Sequence, residues 1–315
     1  MRFYFYIIIG IVILLFSFYI LCSFYLIKEG LMRITSKKKN NSKKKELFPF
    51  SENANKKLKQ NKIDNVDYLD KNRFDKVEIN SYGYKLVADL FLGNSDVWVI
   101  MLHGYLGKKE EMLHMSSYYH KRGYNVLLPD LRSHGESEGT YIGMGYTDRL
   151  DILNWIKYIT DKNKNAKIIL HGHSMGAATA LFTAGERPSN LVCVISDSAY
   201  TSVYDIFESQ LKLLYQLPGF PLLDISGFIF KNFYGGYSFR KANVVSFTKN
   251  IDVPVIFIHG TRDTLLSYKM CDILYDTCKT RKDKRFFEAG HAQSELEDEE
   301  RYFETVFEFI DKVMK

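Results

Sequence analysis

Residues Lys167 to Glu186 read Lys-Ile-Ile-Leu-His-Gly-His-Ser-Met-Gly and then Ala-Ala-Thr-Ala-Leu-Phe-Thr-Ala-Gly-Glu. Ile168, Ile169 and Leu170 form a short apolar run suited to a strand buried on both faces, and the small residues after Gly176 suit a helix. Between them lies Gly172-x-Ser174-x-Gly176. A sharp turn from strand to helix brings backbone against backbone at both glycine positions, and the serine at its apex is held in a strained conformation with its hydroxyl in the open. The same turn puts the Met175 N–H at a helix N-terminus, where amide and helix dipole favour negative charge. A chain organised around such a serine needs a base, an acid and a second amide donor elsewhere.

Length and composition allow one large core. With 315 residues and 46% hydrophobic content, the reading is one folded domain of about 240 residues plus an N-terminal appendage. The net charge of +6 invites a nucleic-acid role, but ten lysines fall between Lys37 and Lys62. The remainder is slightly acidic, so no basic binding face is expected and nucleic acid is excluded as a partner. Cys22, Cys193, Cys271 and Cys278 form no disulfide framework. On one helix, Cys271 and Cys278 would stand about 10 Å apart, too far to bridge. Free thiols of this kind favour a reducing compartment.

From Phe3 to Ile27 there is no charged residue. That run exceeds the roughly 20 residues a helix needs to cross a bilayer, and Lys28-Glu29-Gly30 follows it without a small-residue cleavage pattern. Residues 1–30 are therefore expected to be a retained transmembrane anchor, with the alternative of a cleaved signal peptide disfavoured. Lys28, Arg33, Lys37, Lys38 and Lys39 follow the run while only Arg2 precedes it, so the positive-inside rule puts the folded domain in the cytoplasm of a single-pass cell-membrane protein. Residues 31–63, rich in Lys and Asn, read as a flexible linker that buries too little to order itself.

The folded part is expected over 64–315. Phe74 to Ile79 and Tyr84 to Leu92 alternate around Asn80-Ser81-Tyr82-Gly83 and predict an antiparallel hairpin. Strands follow at Val97 to Leu102, Asn125 to Pro129, Lys167 onwards, Leu191 to Ile195, Val253 to Ile258 and Lys284 to Phe287. Helices are expected near Glu110 to Arg122, Tyr146 to Tyr158, after Ser174, Tyr268 to Cys278 and Asp298 to Val313. This alternation predicts an α/β architecture: a mostly parallel central sheet with helices on both faces and ligands at the carboxyl ends of the strands.

Polar residues collect at those ends. Strand Val97 to Leu102 runs into His103-Gly104-Tyr105-Leu106-Gly107, whose glycines allow close backbone approach, and the second oxyanion amide is assigned to Tyr105 beside Met175. His259-Gly260-Thr261-Arg262-Asp263 ends another strand, and Asp263 is the expected acid, with Asp197 as its rival. His291, in Ala289-Gly290-His291-Ala292, is the one histidine after Asp263 and is the expected base. His134, His171 and His173 lack metal-ligand spacing and read as structural, so neither metal nor organic cofactor is expected.

Taken together, His103-Gly104-Tyr105-Leu106-Gly107, Asp130-Leu131-Arg132-Ser133-His134-Gly135, Gly172-His173-Ser174-Met175-Gly176, His259-Gly260-Thr261-Arg262-Asp263 and Gly290-His291 resemble the α/β-hydrolase superfamily. Within it the chain is similar to membrane-anchored bacterial serine hydrolases of the esterase-like and serine aminopeptidase-like groups. The resemblance spans Phe74 to the C-terminus and implies an α/β-hydrolase fold with a Ser174–His291–Asp263 triad, and an Asp130 to Gly135 loop that shapes the site. Leu265-Leu266 stand where a Val-Pro is expected.

An insertion from about 200 to 248 breaks the strand and helix rhythm and reads as a helical cap. Its apolar content, including Leu211, Leu214, Phe220, Leu223 and Phe230, predicts a small apolar acyl or aryl ester substrate. The expected activity is cleavage of carboxylic esters or thioesters through an acyl-enzyme. Two rivals stand beside it: a peptidase or aminopeptidase using the same triad, and a non-catalytic membrane-anchored interaction protein.

Overall fold

In the computed structural model of the chain, residues 2–32 and 50–315 are described. Most of the expected linker therefore lies outside the described residues. One long apolar helix, α1 (Arg2–Gly30), leads the chain, and a second helix, α2 (Glu52–Lys71), precedes the sheet.

Eight strands form one sheet: β1 (Asp75–Ser81), β2 (Tyr84–Phe91), β3 (Val97–Leu102), β4 (Asn125–Pro129), β5 (Lys167–His173), β6 (Leu191–Asp197), β7 (Val255–Gly260) and β8 (Lys282–Phe287). Their order is β1-β2-β4-β3-β5-β6-β7-β8. The β1–β2 hairpin is antiparallel and β2 meets β4 antiparallel, while every other pairing is parallel. Helices α3 (Leu113–Lys121), α4 (Asp148–Lys162), α5 (Met175–Ala184), α6 (Val203–Tyr215), α7 (Leu222–Phe233), α8 (Val244–Thr248), α9 (Lys269–Thr277), α10 (Ser294–Glu297) and α11 (Glu299–Met314) complete the chain.

The inner strands are buried on both faces of the sheet, successive side chains leaving a strand on opposite sides. In β3, Trp98, Ile100 and Leu102 face one core with α4 and α5, while Val99 and Met101 face the other with α3 and α11. α6, α7 and α8 occupy the insertion, whose two ends are pinned together: Val203 N donates to Ala242 O at 2.9 Å and Val244 N to Thr201 O at 2.9 Å.

Two expectations need correction. The flexible linker was expected to reach residue 63, whereas 52–71 is helical, so the ordered part begins before residue 64. Ser51 caps α2 by accepting from Ala54 N at 2.9 Å. The helix then docks by polar contacts: Ser51 and Asn53 to Glu297, Lys57 to Glu299, Asn61 to Glu295, and the Tyr68 hydroxyl to His120. Hydrophobic periodicity does not reveal a helix held this way, since its buried stripe is only Ala54, Asn61 and Tyr68. The helix expected from Glu110 also starts later, because Lys109–Met112 form a tighter 3-10 turn ahead of α3.

The β5-to-α5 crossing is the closest backbone approach that bears on function. A Cβ on Gly172 would lie 2.3 Å from the Gly176 carbonyl carbon, and one on Gly176 would lie 2.0 Å from Leu102 O. Neither glycine has a left-handed backbone, so both are required by proximity alone. Gly176→Ala should therefore cost about 3 kcal/mol of stability, read as a lower urea midpoint at unchanged slope.

Candidate active site

Strained backbone concentrates over the carboxyl edge of the sheet. Leu106, Ser133, Ser174, Ser198 and Ala292 all have positive φ, and they lie in the loops after β3, β4, β5, β6 and β8. Non-glycine residues in this region persist only where the surroundings hold them, and they cluster at working sites. Ser174 has φ 54° and ψ −119°, and its N–H donates to Asp197 O at 2.8 Å. The clamp fixes the turn and aims the side chain outward from the sheet edge.

His291, from the loop after β8, reaches this serine. Its Nε2 lies 2.7 Å from Ser174 Oγ and its Nδ1 lies 2.7 Å from Asp263 Oδ2. With the carboxylate on Nδ1, the ring proton sits there and Nε2 is left to accept from the serine hydroxyl. The Asp263 side chain is fully buried. Burial pushes its carboxyl up, but His291 and His259 more than offset this and hold it below the usual carboxylate range. Its other oxygen accepts from Leu265 N at 2.9 Å and Leu266 N at 2.8 Å. The Leu-Leu departure thus has a use, since a proline at 266 has no N–H to give.

Asp197, the rival acid, lies under the nucleophile turn. Ser198 Oγ donates to its Oδ1 at 2.8 Å, and burial raises its carboxyl to about 6 against the hydrogen bond from Ser198. The structure brings Asp263 to His291 and leaves Asp197 as a support. Ser198 Oγ also accepts from Ala292 N at 3.3 Å, which ties the histidine loop to the end of β6.

The β3 loop makes a four-residue turn closed by Gly107 N to Gly104 O at 3.0 Å. A Cβ on Gly104 would stand 3.6 Å from Ser174 Cβ, so this loop lies directly against the serine. Among the described residues neither the Tyr105 nor the Met175 amide donates to a backbone carbonyl. His103 braces the turn: Nε2 accepts from Leu131 N at 3.0 Å, leaving Nδ1 to donate to Gly104 O at 2.8 Å. The Tyr105 side chain turns away from the serine and donates to Gly30 O at the end of α1, at 2.7 Å.

The charges of the Asp130 to Gly135 loop are engaged by neighbouring elements. Asp130 accepts from the Lys109 and Glu136 amides at 2.9 Å each, and Arg132 grips Asp151 through two nitrogens. His134 and His171 are both lowered to about 3, first by burial and then by a neighbouring imidazole. His171 lies between the Tyr119 and Tyr302 hydroxyls, 2.7 and 3.0 Å away. Among the described residues, the donor atoms of His114, Glu295 and Glu299 lie within 4.8 Å of one another. Lys57 and Asn61 already pair with those carboxylates, so the protein itself compensates the group.

Two contributors escaped the sequence reading. His259 Nε2 stands 3.1 Å from Asp263 Oδ2, giving the acid a second imidazole; the path of the loop after β7 sets this contact, and the sequence carries no signal for it. Ser198 offers no motif at all.

The alpha/beta hydrolase fold family model matches residues 97–235. Uncharacterized protein YqkD of Bacillus subtilis is 31% identical over 218 residues, covering 68% of this chain and 71% of that protein. Uncharacterized protein YfhR of Escherichia coli K12 is 27% identical over 191 residues, 60% of each chain. The Pyrococcus furiosus esterase Pf2001 superposes with a TM-score of 0.64 at 28% identity, over 77% of this chain and 92% of that one. Sheet order, strand-end loops and cap together define an α/β hydrolase. The chain belongs to the α/β-hydrolase family and is related to YqkD, YfhR and esterases.

The two buried aspartates should titrate in opposite senses. Asp263 is lower in the fold than in the unfolded chain, so its contribution is present above about pH 4 and is lost as pH falls through the folded value. Asp197 is higher in the fold, so its contribution is present below about pH 4 and is lost as pH rises through about 6. Urea midpoints should show Asp197→Asn gaining on the wild type between pH 4 and pH 8, and Asp263→Asn trailing it by a constant margin there that shrinks as the pH falls below 4.

Proposed function

We propose that this chain is a membrane-tethered serine hydrolase that cleaves carboxylic esters or thioesters. The observation that carries the reading is the continuous relay from Ser174 Oγ through His291 to Asp263, each link 2.7 Å long. In this mechanism His291 Nε2 takes the serine proton as Oγ attacks the substrate carbonyl. The Tyr105 and Met175 amides donate to the oxyanion that forms. The imidazolium, held by ionised Asp263, returns the proton to the leaving alcohol or thiol as the carbon–oxygen or carbon–sulfur bond breaks. Water then attacks the acyl-serine, giving its proton to His291, and the carboxylic acid leaves with Ser174 restored.

An ester is preferred over a peptide with a free amino terminus because two of the three acidic cap residues are already engaged. Asp205 accepts from Thr201 Oγ1 at 2.5 Å, and Asp224 is gripped by Arg240 at 2.6 Å. No residue role calls for a metal or an organic cofactor.

The relation to an esterase, at 28% identity, supports the same reaction class. The apolar α1 supports a single-pass anchor, and the lysines after it favour a cytoplasmic hydrolase domain.

Ser174→Ala and Asp263→Asn should each lower turnover of a p-nitrophenyl ester by about 10⁴-fold, and only the wild type should be labelled by a fluorophosphonate. Equal labelling of wild type and Ser174→Ala would falsify the nucleophile assignment.

A further inference from the structure

The apolar run at the N-terminus is not free along its whole length. From Phe3 to Phe18 every side chain but Gly10 is exposed, whereas Tyr19, Ile20, Cys22, Ser23, Leu26, Ile27 and Leu31 form a stripe at helical spacing that packs on the domain. Phe24 meets Tyr234 at the end of α7 with ring centroids 6.4 Å apart. Beyond the helix, Ile142 N donates to Leu31 O at 2.7 Å, and Tyr105 Oη donates to Gly30 O at 2.7 Å. The end of α1 is thus built into the hydrolase domain.

The free stretch is too short to cross a bilayer. Its 16 residues rise about 24 Å, against about 30 Å of hydrocarbon. The missing 6 Å or so is about four residues, which takes the helix to Cys22, inside its docked segment. Whatever packs beside that segment is drawn to the membrane surface with it. The cap is suited to this position: Leu213, Leu217, Phe220, Phe228 and Phe233 are all exposed, Phe220 by 70% and Phe233 by 72%. Large apolar side chains left exposed together on one insertion mark a membrane or partner surface.

A cavity of about 350 Å³ opens on the same side. Its outer wall includes Leu214 and Tyr215, which are also half exposed on the cap surface; another wall is Tyr25, Leu26 and Ile27 of α1; its inner end is Tyr105 and Leu106. Ser174 does not line it. Gly104, which lies against the serine, is the residue before Tyr105, whose hydroxyl reaches the end of α1 beside the cavity. Burial, and then the Glu29 charge, raise the Tyr105 phenol and keep it a donor to the helix end.

We propose that this cavity is the acyl-chain site for a membrane lipid ester, that the last turns of the anchor helix are one of its walls, and that the chain enters it directly from the leaflet in which the cap is seated. The inference rests on the serine hydrolase reading above and adds the substrate class and its route. The anchor is then part of the binding site as well as a tether. A single acyl chain suits the cavity, and the ester it carries arrives at the loop that bears the Tyr105 amide.

The full chain in phosphatidylcholine vesicles allows two tests. Native Trp98 and Trp155 are buried, so Phe220→Trp adds a surface reporter. Its fluorescence should be quenched by lipids brominated on the acyl chain, and no quenching beyond that of the wild type overturns the seating of the cap. Leu26→Trp in the anchor and, separately, the half-exposed Leu214→Trp narrow the cavity from opposite walls. Each should lower the ratio of kcat/KM for a dodecanoate over an acetate ester by about tenfold or more. If the wild type hydrolyses both esters in a Ser174-dependent way and neither variant moves the ratio, the acyl site is wrong and the hydrolase reading survives. If the wild type hydrolyses neither, the hydrolase reading itself fails.

Discussion

The site depends on one close contact: the backbone of β5 and the first turn of α5 touch at Gly172 and Gly176, with no room for a side chain at either position. That contact leaves Ser174 no way through except a left-handed turn, and Asp197 O holds it there by accepting the serine amide. The strain of that backbone is sustained by the sheet around it, since β5 pairs with β3 on one side and β6 on the other. A serine presented this way keeps its hydroxyl outside the core while its amide and carbonyl stay satisfied inside.

Around the fixed serine the electrostatics are sorted by what each carboxylate faces. Asp263 faces two imidazoles and two amides, so its charge is favoured even in complete burial. Asp197 lies nearby with less to compensate it, and its neutral form is favoured relative to an exposed aspartate. The same chemistry in two places yields one group able to hold a histidine tautomer and another that serves packing. Burial would otherwise have raised both.

Much of this was legible in the chain. The order of glycine-flanked serine, strand-end aspartate and single late histidine implied that loops far apart in sequence meet over one sheet edge, and the structure brings Ser174, His291 and Asp263 to within hydrogen-bonding distance. The inner strand positions were legible because strands buried on both faces write near-continuous apolar runs. Helix α2 was not, because Ser51, Lys57 and Asn61 dock by polar contacts to Glu297, Glu299 and Glu295, and polar docking has no periodic apolar signature. The role of His259 was hidden for a related reason: its partner is set by the path of the loop after β7, and a four-residue spacing outside a helix specifies no contact.

Local chemistry is what the sequence alone determined: where backbone must pass backbone, which run is long and apolar enough to reach a membrane, and which residue types stand at strand ends. Such features depend on neighbours in the chain, so they survive without knowledge of the fold. Only the tertiary structure decided that Asp263 and not Asp197 meets the imidazole, and that the N-terminal helix packs its last turns against the cap and the Tyr105 loop. Each of these is a contact between segments tens to hundreds of residues apart, and its partner is chosen by packing geometry that no local pattern records.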